Sequence, residues 1–179
     1  MPRIGMAWRH VTMGTHNSWL PGEPRGFRSK DHKIHSSGDY KNPPPEWEHA
    51  GLWEYSKRIS GEPLIIPKNL REPIGRAILA DQKRGLLVLA VAVGGMHAHV
   101  QVELPDDKAK MRQIVGKAKT AACYAVKAQM PGKIWARHGG YKRIKDIAHQ
   151  RQVHGYIYRQ KDAWVWSYRL GSRYNDEVS

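Results

Sequence analysis

The chain of 179 residues contains a single cysteine, Cys123, and a single phenylalanine. One cysteine excludes an internal disulfide and any multi-cysteine zinc site. Cys123 sits among Ala121, Ala122 and Ala125, where it reads as a small buried hydrophobe. Long apolar runs are also missing. No stretch of 18 apolar residues occurs, and no basic amphipathic helix lies beside one, so a membrane is not an expected partner. The first residues lack the charged-then-apolar pattern of a signal peptide, which makes a reducing cytoplasm the expected compartment. Acidic residues are scarce as well. Sixteen Asp and Glu stand against 30 Lys and Arg, a formal charge of +14. Released counterions make phosphate contacts favourable at moderate salt, so a surplus of that size points to a polyanion such as nucleic acid. Charge names the partner class and no reaction.

What is present begins with His97-Ala98-His99 at the head of an alternating stretch that runs to Leu104. In an extended strand, residues two apart share a face. His97, His99, Gln101 and Glu103 would line one side, and Ala98, Val100, Val102 and Leu104 the other. The second set is a core face. Two imidazoles on neighbouring same-face positions can grip one divalent cation, or one phosphate if protonated. With ten histidines in the chain, two half-exposed strand residues are the competing explanation.

Length suits one well-buried domain, residues 1–179, with a Pro- and Gly-rich insertion at about 21–68 that includes Pro43-Pro44-Pro45. Trp8 to Thr15 reads as a strand, with Val11 and Met13 facing one way and His10 and Thr12 the other. Within the insertion a short helix is expected around Glu46 to Arg58. Trp47, Trp53 and Tyr55 there either anchor the loop or stack on unpaired bases. Leu70 to Lys83 has helical spacing, closed by Gly85. Leu86 to Val93 is a continuous apolar run suited to a central strand, joined through Gly94-Gly95 to the His97 strand as a hairpin. Asp106 or Asp107 can cap the next helix, whose apolar stripe includes Met111, Val115 and Ala118. A short strand is expected at Lys133 to Arg137, a turn at Gly139-Gly140, and a last helix ending near Gln160. The expected fold class is α+β: a ferredoxin-like antiparallel sheet in the order β-α-β-β-α-β, with helices packed on one face and an irregular N-terminal insertion.

On that last helix Tyr156 and Gln160 stand four apart, one turn separated on one side. A tyrosine hydroxyl beside an amide and a metal can attack a phosphodiester and become phosphorylated. A phenol is a poor nucleophile unless a cation or a hydrogen-bonding neighbour favours the phenolate. The competing explanation is an apolar stripe of Val153, Tyr156 and Ile157. Tyr158 lies about two helical steps round from Tyr156, so the two cannot serve the same site. Gly155 inside this helix costs about 1 kcal/mol relative to alanine and leaves room for a close approach.

Three blocks in order resemble the single-tyrosine HUH transposases, the insertion-sequence enzymes and their REP-associated relatives. They are Thr15-His16-Asn17-Ser18-Trp19-Leu20-Pro21-Gly22-Glu23-Pro24-Arg25-Gly26, Met96-His97-Ala98-His99-Val100 and Tyr156-Ile157-Tyr158-Arg159-Gln160. Residues 30–67 exceed what the family core needs. Tyr141, after Gly139-Gly140, is a third tyrosine where relatives carry an aromatic-glycine-tyrosine motif. The resemblance implies a ferredoxin-like fold, with His97, His99 and Gln160 holding Mg²⁺ or Mn²⁺. It implies Tyr156 as the nucleophile on hairpin-forming single-stranded DNA, leaving a 5′-phosphotyrosine and a free 3′-hydroxyl. Family members act as monomers or as dimers that share sites, so a homodimer is left open. Arg25, Lys117, Lys119, Lys142, Arg143 and Lys145 are candidate DNA-backbone contacts, and His10 joins the histidine face if the first strand neighbours the third.

Two other functions compete. One is a non-cleaving single-stranded DNA-binding protein of the same fold. The other is a histidine-triad nucleotidyl hydrolase or transferase, whose pattern His97-Ala98-His99-Val100-Gln101 also fits. The second leaves the charge and the Tyr156 helix unexplained.

Overall fold

The computed structural model describes residues 2–24, 37, 42, 44, 45 and 47–176. Arg25 lies outside the described residues. The elements in chain order are β1 (Met6–Thr15), α1 (Ala50–Ser60), α2 (Lys68–Gln82), β2 (Val88–Val93), β3 (His97–Pro105), α3 (Lys108–Ala125), β4 (Trp135–Arg143), α4 (Ile147–Tyr158), β5 (Ala163–Ser167) and β6 (Gly171–Asn175). By its contacts the chain divides into two compact units, residues 16–64 and the remainder.

The larger unit is built on one antiparallel sheet of six strands, in the order β4-β1-β3-β2-β5-β6. The apolar run of β2 takes an interior place, as a strand covered on both faces should. Gly94-Gly95 turns it into β3, and the Gly94 amide donates to the His97 carbonyl at 2.9 Å. Helices α2 and α3 cover the face that carries Val11, Met13 and Val100, bringing Ile78, Val115 and Ala118 against it. This is the β-α-β-β-α-β arrangement anticipated above. Asp107 caps α3 by accepting from the Lys110 amide at 2.9 Å, while Asp106 pairs with Arg9 and Arg143.

The fourth helix lies on the other face. Val153 and Ile157 of α4 sink onto Ala90, Ala92, Ala163 and Val165, where alanines in β2 leave room for the helix. Asp146 caps it through the His149 amide at 2.7 Å.

Two local expectations are corrected. Gly139-Gly140 is no turn but the middle of β4. A Cβ on Gly139 would come within 2.8 Å of the Thr12 carbonyl oxygen, so the glycine is there because β1 approaches closely. The chain also continues past α4 into β5 and β6, which extend the sheet at the β2 edge. Trp164 of β5 rests on Gly75 of α2, where an added Cβ would stand 2.2 Å from the indole.

The smaller unit carries α1. Its ends meet through the Leu64 amide and the His16 carbonyl, 2.9 Å apart. Gly22, at φ +84, lies against the backbone of Trp53, where a Cβ would stand 2.4 Å from the Trp53 nitrogen. Trp47 and Tyr55 are exposed. No helix of the described residues is long and apolar enough to cross a membrane.

Candidate functional site

Register decides what surrounds the histidine pair. His97 stands opposite Gly14, and His99 lies between Thr12 on β1 and Ala92 on β2. Both imidazoles therefore project from one face among small neighbours, with ring centroids 4.8 Å apart. This is the face on which α4 lies.

His10 joins them. Its Nε2 is 3.0 Å from His99 Nδ1, and Thr12 Oγ1 lies 3.4 Å from that same nitrogen. His99 is 5% exposed. Burial, then the charges of His97 and His10, push its pKa down to about 3. The His10 pKa is lowered too, first by burial and then by Lys142 and His149. Both rings are neutral near pH 7, with lone pairs available. His99 Nε2 is buried and has no hydrogen-bond partner.

The tyrosines separate cleanly. Tyr156 is 49% exposed and so is not core packing. Its ring stands edge-on to His99 at 5.4 Å and to His10 at 5.7 Å. Tyr158 lies elsewhere, stacked with His154 at 6.3 Å and covered by the Arg173 guanidinium at 4.3 Å. Tyr141 is in register with Val11, so it faces the α2–α3 side, and burial raises its pKa. Gln160 follows the end of α4, where its side-chain amide donates to the Tyr156 carbonyl at 3.3 Å. Beside Gly155 the nearest foreign atoms are those of the Arg159 guanidinium, 3.2 Å from an added Cβ, so no second backbone exploits that glycine.

Among the described residues, no group of three His, Cys, Asp or Glu is arranged to hold a metal ion. A donor set of two imidazoles and an amide oxygen is of another composition. The buried, unpartnered His99 Nε2 on a neutral ring is the kind of nitrogen a divalent cation takes. Imidazole donors favour Mn²⁺ over Mg²⁺.

The candidate DNA contacts fall in two places. Lys142 and Arg143 end the edge strand β4 and Lys145 follows it; all three are exposed, and Lys142 is opposite His10 in register. Arg143 is 2.8 Å from the Asp106 carboxylate, which also holds Arg9, so its charge is partly neutralised. Lys117 and Lys119 are on α3, across the sheet from the histidines. The Lys119 ammonium donates to the carbonyls of Ala136 at 2.9 Å and His138 at 3.3 Å, and burial lowers its pKa. It lines a groove of about 510 Å³ with Cys123, Tyr124, Lys127, Lys133 and Arg137.

Thr12 and His149 were not singled out from the sequence. Their signal was weak: Thr12 shares the β1 alternation with His10, and His149 shows nothing until α4 is docked.

No family model matches the chain, and no curated protein matches it. Among solved structures it is similar to a REP-associated tyrosine transposase bound to a REP hairpin, at 14% identity and a TM-score of 0.45. The match covers 85% of this chain and 64% of the other, so the chain spans just under two thirds of that protein's length.

Proposed function

We propose that this protein is a metal-dependent single-stranded DNA endonuclease and strand transferase that works on hairpin-containing DNA through a 5′-phosphotyrosine link. The observation that carries the proposal is an exposed Tyr156 ring edge-on to a buried, neutral His99 whose Nε2 lacks a partner. The three sequence blocks described above and the +14 charge support it.

Tyr156 Oη gives up its proton and forms a bond to phosphorus while the P–O3′ bond breaks, and the departing 3′ oxygen takes up a proton as the hydroxyl, so no net proton is gained or lost. Reversal with a different 3′-hydroxyl rejoins strands, because the phosphotyrosine conserves the bond energy. His97, His99 and the Gln160 amide oxygen would hold Mn²⁺ or Mg²⁺, which supplies positive charge to the scissile phosphate. Half exposure leaves the Tyr156 hydroxyl reachable by a DNA strand, while burial of Val153 and Ile157 fixes the helix beneath it. Lys142 and Lys145 contact the backbone near the scissile bond, and Arg143 does so at the expense of its Asp106 pair.

The test is incubation with labelled single-stranded hairpin DNAs and Mn²⁺ or Mg²⁺, followed by a denaturing gel that retains protein-linked strands. A covalent adduct is expected that EDTA and Tyr156→Phe both abolish. An adduct that survives Tyr156→Phe overturns the assignment. Salt-sensitive binding with no adduct across a panel including the native flanking DNA replaces it with the non-cleaving function.

A further inference from the structure

His99 has two ring nitrogens in unlike surroundings. Nδ1 meets His10 Nε2 at 3.0 Å and Thr12 Oγ1 at 3.4 Å, whereas Nε2 is buried and unpartnered. A neutral imidazole carries one proton, and only one hydrogen fits between two ring nitrogens at that distance. If that hydrogen belongs to His10, the His99 proton must sit on Nε2, as a buried donor with nothing to accept it. If it belongs to His99, the ring donates from Nδ1 and Nε2 is left as a lone pair. An unmet lone pair is the more tolerable orphan, and it is the form that can bind an electrophile.

We propose that His10 is a positioning residue: it accepts the His99 Nδ1–H, and so holds His99 in the tautomer whose Nε2 is free for a divalent cation. The inference rests on the metal-dependent function proposed above. A second hydrogen bond behind a ligating histidine fixes its tautomer and ring orientation, commonly through a carboxylate or a carbonyl. Here that task falls to a second histidine one strand away. His10 can serve because β1 lies directly beside β3 and their register sets His10 opposite Gln101, two residues along from the Thr12–His99 pair and so on the same face. The same hydrogen bond ties the site to the strand pairing: any slip of β1 by one residue turns His10 to the opposite face.

Two measurements test this. Long-range nitrogen–proton correlation spectra of histidine-labelled, metal-free protein read the tautomer of each ring. His99 is expected with its proton on Nδ1, and a proton on Nε2 overturns the proposal. Manganese paramagnetic resonance reads Mn²⁺ binding without DNA or turnover. His10→Leu is expected to release the tautomer and to weaken Mn²⁺ binding roughly 10- to 100-fold. His10→Gln, whose amide oxygen can still accept, is expected to keep the tautomer and most of the affinity. A Leu variant that is folded by thermal unfolding yet keeps both tautomer and affinity overturns the role of His10. If the wild-type protein binds no Mn²⁺, the metal-dependent function fails, and the spectra alone decide on His10.

Discussion

The two faces of β3 are almost equally buried and chemically opposite. Ala98, Val100, Val102 and Leu104 face α2 and α3 and are at most 2% exposed. His99, Gln101 and Glu103 face the other way and are at most 5% exposed. Burial on the first face is hydrophobic stabilisation; on the second it is desolvation of polar groups. Some of those groups are repaid: Glu103 takes Arg3 at 2.6 Å, and the Gln101 amide donates to the Gln150 carbonyl at 2.9 Å. Others are not, since His99 Nε2 and Gln101 Oε1 have no partner. One strand thus holds the fold with alternate residues and withholds stability at the ones between.

Damage to the apolar face should therefore be the most severe. Leu104→Ala, at a fully buried position, is expected to cost about 2–5 kcal/mol, read by urea unfolding. Gly75→Ala on the helix covering that face should cost about 1–3 kcal/mol, because the Trp164 indole must move, even though alanine is the better helix former. A stabilised protein would show that the Trp164 ring has room to shift.

The polar face should reveal itself through pH. The pKa values of His10, His99 and His154 are all depressed in the fold, chiefly by burial. The unfolded chain therefore binds protons first. The stability they represent is complete above an ordinary histidine pKa and is lost as pH falls from about 6.5 toward the His99 value of about 3. Metal-free protein should unfold at progressively lower urea between pH 7 and pH 5. His99→Leu should flatten that slope, and an unchanged slope would place the titration elsewhere. The smallest effect is expected from Gln101→Leu. It removes one hydrogen bond and one unmet acceptor together, so stability should stay within about 1 kcal/mol despite complete burial. A loss as large as that of Leu104→Ala would erase the difference between the faces.

Much of this layout was legible in advance because it depends on local periods. The alternation of β1 and β3 separated the two faces, the apolar run marked β2 as interior, and the two-residue spacing put both histidines on one side. What was not legible depends on long-range pairing. His10 reaches His99 only because β1 lies beside β3, which no local pattern states. Gly139-Gly140 carries a turn signature, and only the Thr12 carbonyl across the strand shows why it is extended. β5 and β6 have five residues each, too few for a period to stand out. Lys119 is a candidate DNA contact by its charge alone, and its carbonyl partners on β4 emerge only once α3 is docked.

The pairing of β1 with β3 has a kinetic consequence. His10 and His99 are 89 residues apart, and the Thr15–Met96 contact that closes the strands spans 81, more than half of it the 16–64 unit. Loop closure grows only with the logarithm of length, about 0.6 kcal/mol per doubling, so that unit adds on the order of 1 kcal/mol to the closure. A chain can thus carry a sizeable segment between its first strand and the rest almost without penalty. The histidine cluster, by contrast, comes into being only when the two distant strands meet, which makes it a reporter of that non-local step of folding.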